Sequence, residues 1–139
     1  MIRDSDFKKL KHNFKDFNMF KNGQELEPGY KPDYVLKKGN HYIILESETT
    51  SSRKTYVGGM MKAAHFLQHE NKGDMIFVID PKENTKVESI ASHLKLYLRW
   101  IKKETNLRNV YVIEAAKYYS NDALLILHGK KFKKCAIKV

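Results

Sequence analysis

Cysteine is nearly absent from this sequence: Cys135 is the single thiol in 139 residues. No intrachain disulfide can form, so a reducing, cytoplasmic compartment is expected. Long apolar runs are also lacking. No stretch approaches the roughly 20 residues of a membrane-spanning helix, and Met1-Ile2-Arg3-Asp4-Ser5-Asp6 lacks the apolar region of a secretory signal. Membrane association is therefore not expected. Neither GxxxxGK[ST] nor GxGxxG occurs, which argues against a nucleotide hydrolase and a Rossmann dehydrogenase. There is no internal repeat or low-complexity segment, and the length suits one domain, 1–139, without a separate specificity domain.

Acidic residues are outnumbered. The 16 Asp and Glu stand against 26 Lys and Arg, a net charge of +10 that creates a field attracting polyanions, of which nucleic acid is the commonest. A hydrophobic content of 42% with 12% aromatics argues that this charge rides on a folded globule.

The most informative stretch runs from Lys31 to Glu48. Tyr34-Val35-Leu36 and Tyr42-Ile43-Ile44-Leu45 are β-branched and aromatic runs, and Gly39-Asn40 between them is a two-residue hairpin signal. With that loop, Lys38 pairs with His41, Asp33 lies opposite Glu46, and Glu48 faces Lys31. Side chains alternate along a strand, so Asp33, Glu46 and Glu48 share one face while the Ser47 side chain takes the other. Three carboxylates so placed need a positive partner, and oxygen ligands suit Mg²⁺ or Mn²⁺. Neutralisation by Lys31 at the polar end of two ordinary strands is the alternative.

Pro32-Asp33, twelve intervening residues and then Glu46-Ser47-Glu48 at the end of an apolar strand resembles the signature of the PD-(D/E)xK nuclease superfamily. The resemblance covers roughly residues 5 to 80. It implies that Asp33 and Glu46 bind the catalytic metal and that the Ser47 carbonyl completes its coordination. The last motif position is most often Lys; this chain has Glu48 there, as some restriction endonucleases of the superfamily do. Glu48 would then orient the attacking water or help bind a second metal, and Lys62 is the candidate to replace the missing lysine. Some members add an acid from the first helix or its neighbourhood, for which Asp16, Glu25 and Glu27 are candidates. The implied core order is α-β-β-β-α-β.

The remaining chain supports that order. Residues 5–21 are predicted as an amphipathic helix with Phe7, Leu10, Phe14, Phe17 and Phe20 inward and Lys8, Lys9, Lys11, His12 and Lys15 mostly outward. Gln24–Glu27 is a short candidate strand. Arg53–His69 is predicted as a helix with Val57, Met60, Met61, Ala64 and Leu67 inward, and Gly58-Gly59 in it signals close approach to a backbone or a phosphate. Met75–Ile79 reads as a strand buried on both faces. Thr85-Lys86-Val87-Glu88 reads as a capping box opening a helix to about Glu104. Val110–Ile113, Leu124–Leu127 and Ala136–Val139 are further strands. The fold class is α/β, a mixed central sheet flanked by helices, restriction endonuclease-like.

These readings converge on a Mg²⁺- or Mn²⁺-dependent DNA endonuclease, with Lys31, Arg53 and Lys54 holding phosphate. Lys130, Lys131, Lys133 and Lys134 would track the backbone while Phe132 stacks on a base. A charged hairpin at a sheet edge is the other account of that lysine segment. Cutting both strands would favour a homodimer. The rival expectation is an inactive, nuclease-like DNA-binding module or a subunit of a larger restriction, repair or plasmid-maintenance complex. Charge does not separate DNA from RNA.

Overall fold

The computed structural model describes residues 3–82, 84–120 and 123–139. In chain order the elements are α1 (Asp4–Phe7), β1 (Asn18–Lys21), β2 (Tyr34–Lys38), β3 (His41–Glu48), α2 (Arg53–Phe66) and β4 (Lys72–Ile79). They continue as α3 (Val87–Glu104), β5 (Leu107–Glu114), α4 (Ala115–Tyr118), β6 (Tyr119–Ser120), β7 (Ala123–Leu124), α5 (Lys130–Cys135) and β8 (Ile137–Lys138). Six strands form one mixed sheet in the order β1-β2-β3-β4-β5-β8. The β1/β2/β3 meander is antiparallel, β3, β4 and β5 are parallel, and β8 returns antiparallel to β5. The α/β class and the leading α-β-β-β-α-β order agree with expectation.

The hairpin forms in the predicted register, with Lys38 opposite His41 and Tyr34 opposite Leu45. Gly39 takes φ +60° at the first loop position, the conformation that a two-residue hairpin loop with glycine leading requires. Strand β4 is central and buried from Met75 to Ile79, because helices cover both faces of a parallel sheet. Gly73 lies opposite Tyr42, and a Cβ built there would sit 1.9 Å from the Tyr42 carbonyl oxygen. The β3–β4 spacing at that point thus depends on a missing side chain.

Two apolar cores flank the sheet. On one face, Tyr30, Val35, Ile44, Met75, Phe77 and Ile79 pack with α2 and α3; on the other, Tyr34, Ile43, Leu45, Ile76 and Val78 pack with Phe7, Tyr118 and Phe132. Each such aliphatic or aromatic side chain contributes about 1.5–3 kcal/mol on burial. In α3 the six residues Val87, Ile90, Ala91, Leu94, Leu98 and Ile101 are buried as the 3.6-residue period predicts.

Several local expectations are corrected. The long first helix is absent: α1 ends at Phe7, Lys15 takes φ +41°, and residues 18–21 become an edge strand paired with β2. Phenylalanine is a modest helix former, and strand pairing with β2 outweighs the apolar period. His12 is buried, not on an exposed basic face. Gln24–Glu27 forms only an isolated bridge from Glu27 to Tyr30. In α2, which ends at Phe66, Met61 is exposed while Tyr56 and Ala63 fill the inward positions. Gly59 faces the Phe77 ring, not a backbone, and Gly58 faces open space. The capping box does not form, since the residue before α3 is Lys86 and no side chain among the described residues caps the helix. Of Leu124–Leu127 only Leu124 is in a strand, in a two-stranded ribbon apart from the main sheet. The lysine-rich segment is helix α5, and Phe132 is buried in the second core, where it cannot stack on a base.

Candidate functional site

The carboxylates meet where the ladder of β2 and β3 ends. Beyond the last paired residues, Tyr34 and Leu45, the strands remain joined by side chains. The Asp33 N–H donates to Glu46 Oε1 at 2.9 Å, and the Ser47 N–H donates to Asp33 Oδ2 at 2.8 Å. Each acid holds the other strand's edge. Asp33, Glu46 and Glu48 follow the alternation of Val35, Tyr42 and Ile44, so they share one face as the alternation predicts, and that face is the one packed with α2 and α3.

Electrostatics there are costly. Burial, then the Asp33 charge, then Glu48 and Asp4 push the Glu46 carboxyl up to about 8, against the lowering effect of the bond from the Asp33 N–H. Burial raises Asp33 too, with Asp4 adding to it and the Ser47 N–H and Lys8 opposing. Glu48 is raised by burial and by Asp33 and Asp4. The cation that reaches the pair is Lys8, 3.8 Å from Asp33 Oδ1. Lys31, which the alternative reading would have neutralise the cluster, is exposed and forms no ion pair among the described residues.

Besides Lys8, two contributors lay beyond the sequence reading. Asp4, in α1, acts on all three carboxylates, whereas the acids proposed from that neighbourhood lie elsewhere. Asp16 pairs with Lys38 at the hairpin end at 2.7 Å, Glu27 pairs with His65 at 2.8 Å, and Glu25 is exposed. Tyr30 is the other. The residue is 4% exposed, its hydroxyl has no hydrogen-bond partner among the described residues, and after burial the charges that raise its pKa most are Glu46 and Asp33. A buried, unpaired hydroxyl beside carboxylates is a group with unused bonding capacity. The signal available for it was only its position before Lys31-Pro32-Asp33.

Lys62 projects from α2 toward the loop that holds Tyr30, with Nζ 3.4 Å from the Gly29 carbonyl oxygen, and makes no ion pair with Asp33, Glu46 or Glu48. Arg53, at the start of α2, donates to Ser89 Oγ, and Lys54 beside it is exposed. Lys130, Lys131, Lys133 and Lys134 are exposed on α5, whose Phe132 packs on the opposite face of the sheet. The structure therefore brings Asp33, Glu46 and Glu48 together and leaves the four C-terminal lysines on the other layer.

The donor set suits a hard divalent cation in chemistry but is incomplete as a cage. Asp33 Oδ1, Glu46 Oε2 and the Glu48 carboxylate are the oxygens not committed to the two strand-joining bonds. Among the described residues, no three His, Cys, Asp or Glu side chains are grouped as a ready-made metal site. Mg²⁺ commonly uses one or two carboxylates with waters and substrate phosphates, an arrangement that this pair fits.

No family model and no curated protein matches the chain. Among solved structures it is similar to SfsA from Pyrococcus furiosus in complex with Ca²⁺, at 11% identity and a TM-score of 0.36. That likeness covers 70% of this chain and 48% of the other, and is too slight to bear on function. Among the described residues, no helix is long and apolar enough to cross a membrane.

Proposed function

We propose that this chain is a nuclease-like domain that hydrolyses phosphodiester bonds in DNA, with Asp33 and Glu46 holding a Mg²⁺ or Mn²⁺ ion. The observation that supports the reading most is the geometry of the two acids: Glu46 is buried against Asp33 on the face that also carries Glu48, and one oxygen of each acid stays outside the strand-joining bonds, where a cation would offset the charge that raises the Glu46 pKa to about 8. A divalent ion bound there would polarise the scissile phosphate and acidify a bound water. The chain's own groups do the positioning. Backbone N–H bonds fix one oxygen of Asp33 and one of Glu46, Glu48 is placed on the same face to accept a proton from the attacking water, and Lys8 supplies a nearby positive charge for phosphate.

A second reading has its own support. The commitment of two carboxylate oxygens to strand edges and the Lys8 contact equally suit a structural polar cluster in an inactive DNA-binding module. Cleavage of supercoiled, linear and branched DNA with Mg²⁺, Mn²⁺ or EDTA separates the two. The nuclease reading expects metal-dependent cutting that disappears in Asp33→Ala and Glu46→Ala. Absence of cutting, with equal DNA binding by wild type and both variants, leaves the binding module.

A further inference from the structure

Helices α2 and α3 leave between them an open groove of about 810 Å³ that begins at Ser51 and Ser52, three residues beyond Glu48. Its floor is apolar, with Val57 and Met61, and its far wall carries His93 and Tyr97, whose rings contact each other at 5.3 Å. Arg53 and Lys54 form its rim at the end nearer the carboxylates. The two helices together carry seven Lys and Arg (three in α2, four in α3) against two Glu, both in α3.

That combination selects among occupants. A second copy of the chain would bring the same positive helices together. An apolar peptide would leave the cationic rim unanswered. Intact duplex keeps the faces of its bases stacked inside and presents backbone and base edges, which do not stack on an exposed aromatic wall above an apolar floor. An unpaired nucleotide uses all three parts: phosphate for the cations, and the base's π-face for the aromatic side chain. The groove also begins at the β3–α2 turn, where the Tyr56 hydroxyl donates to the Thr50 carbonyl and feels the charge of Glu48, so Ser51 and Ser52 mark the end of the groove on the Glu48 side.

We propose that the α2–α3 groove receives an unpaired segment of a DNA strand, with a base stacked on Tyr97 and phosphates against Arg53 and Lys54, and directs that strand toward the carboxylates Asp33, Glu46 and Glu48. The delivery step rests on the nuclease reading; the binding step does not. The preferred substrate is then a junction, flap or melted end, where single strand meets duplex.

Trp100 is the only tryptophan, 58% exposed and one turn beyond Tyr97 on α3, so intrinsic emission reports on this surface. The test is a titration in EDTA with a short labelled oligodeoxythymidylate and with a blunt duplex of equal length, read by anisotropy and by Trp100 emission. The single strand is expected to bind more tightly and change Trp100 emission. Tyr97→Ala should weaken it roughly tenfold, a typical loss for one stacked base, while Tyr97→Phe retains binding. Equal affinity for both ligands, no effect of Tyr97→Ala, or a Trp100 change on raising protein concentration alone would overturn the proposal, the last by showing a second copy in the groove. Since EDTA removes cleavage from the readout, stacked binding by a protein that cuts no DNA would sink the nuclease reading alone. Cutting without such binding would sink the groove alone.

Discussion

Asp33 and Glu46 each complete the other's strand, one through Glu46 Oε1 on the Asp33 N–H and the other through Asp33 Oδ2 on the Ser47 N–H. Asp33→Asn keeps an acceptor for the Ser47 N–H and removes the charge. The Glu46 titration midpoint, about 8 beside the ionised Asp33, should fall in this variant, because only burial and the smaller contributions of Glu48 and Asp4 still raise it. Carboxyl ¹³C chemical shifts followed against pH check this, and an unmoved midpoint would show that the two acids are not electrostatically coupled.

The same shift links stability to pH. A folded-state pKa raised above the unfolded value of about 4.5 gives stability that is fully present below pH 4.5 and lost as pH rises through 8. In EDTA, the wild type should therefore melt at a lower temperature at pH 9 than Glu46→Gln does, relative to each protein at pH 6. Mg²⁺ or Mn²⁺ should raise the wild-type Tm more at pH 9 than at pH 6 and have little effect on Glu46→Gln, since a bound cation offsets charge only where the carboxylate is ionised. Calorimetry with and without metal decides it.

The hairpin register, the common face of the three carboxylates and the buried face of α3 were legible because they depend on local alternation and period: Gly39-Asn40 sets the loop, and alternation sets the face. The N-terminal segment was not. Phe7, Phe14, Phe17 and Phe20 satisfy a helical spacing, yet only Phe7 is fully buried, and Asn18–Lys21 pairs with β2 through contacts distant in sequence. Asp4, Lys8 and Tyr30 entered the site for the same reason. No local pattern joins residues 4, 8 and 30 to residue 46, and only the packed sheet brings them to one end of β3.

His12 predicts a second, acid-side transition. Its ring is buried between Phe7 and Tyr118, with Nε2 2.9 Å from the Phe7 carbonyl oxygen and Nδ1 2.6 Å from the Tyr118 hydroxyl. A carbonyl only accepts, so Nε2 carries the proton and Nδ1 accepts from Tyr118, which makes the neutral ring the one that fits. Burial lowers its pKa to about 4, opposed by the Phe7 bond. The unfolded chain takes up a proton near pH 6.5 that the folded chain refuses, so this contribution is present above 6.5 and lost as pH falls to 4, about 3 kcal/mol in all. Chemical denaturation of wild type and His12→Asn across that window should show the stability difference, wild type minus variant, rising with pH from 4 to 6.5, whatever slope Glu46 gives to both proteins.

Two glycines should respond oppositely to alanine. At Gly73 the added Cβ would meet the Tyr42 carbonyl at 1.9 Å, a clash with backbone near the start of the β3–β4 pairing that no side-chain movement relieves. Gly73→Ala should cost roughly 3 kcal/mol or more. At Gly58, on the exposed side of α2, nothing lies within 4 Å of the new methyl, and the helix gains an Ala in place of its poorer former. Gly58→Ala should stabilise by about 0.5–1 kcal/mol. Urea midpoints at unchanged m-value provide the comparison, and a neutral Gly73→Ala would mean that β3 and β4 separate more easily than their register implies.

Tyr30→Phe separates a structural role from a functional one. The hydroxyl is buried without a partner among the described residues, so its removal relieves an unsatisfied polar group and should leave the unfolding midpoint unchanged or slightly higher. If the hydroxyl exists to bond a water or phosphate oxygen brought in beside Glu46 and Asp33, the same change should lower the cleavage rate at saturating Mg²⁺ by about tenfold, the loss of one hydrogen bond to a charged group. Stability and rate must therefore move independently. A fall in both would assign Tyr30 to the core, as would a rise in stability with an unaltered rate. Stability held with the rate lost would place the phenol at the reacting phosphate.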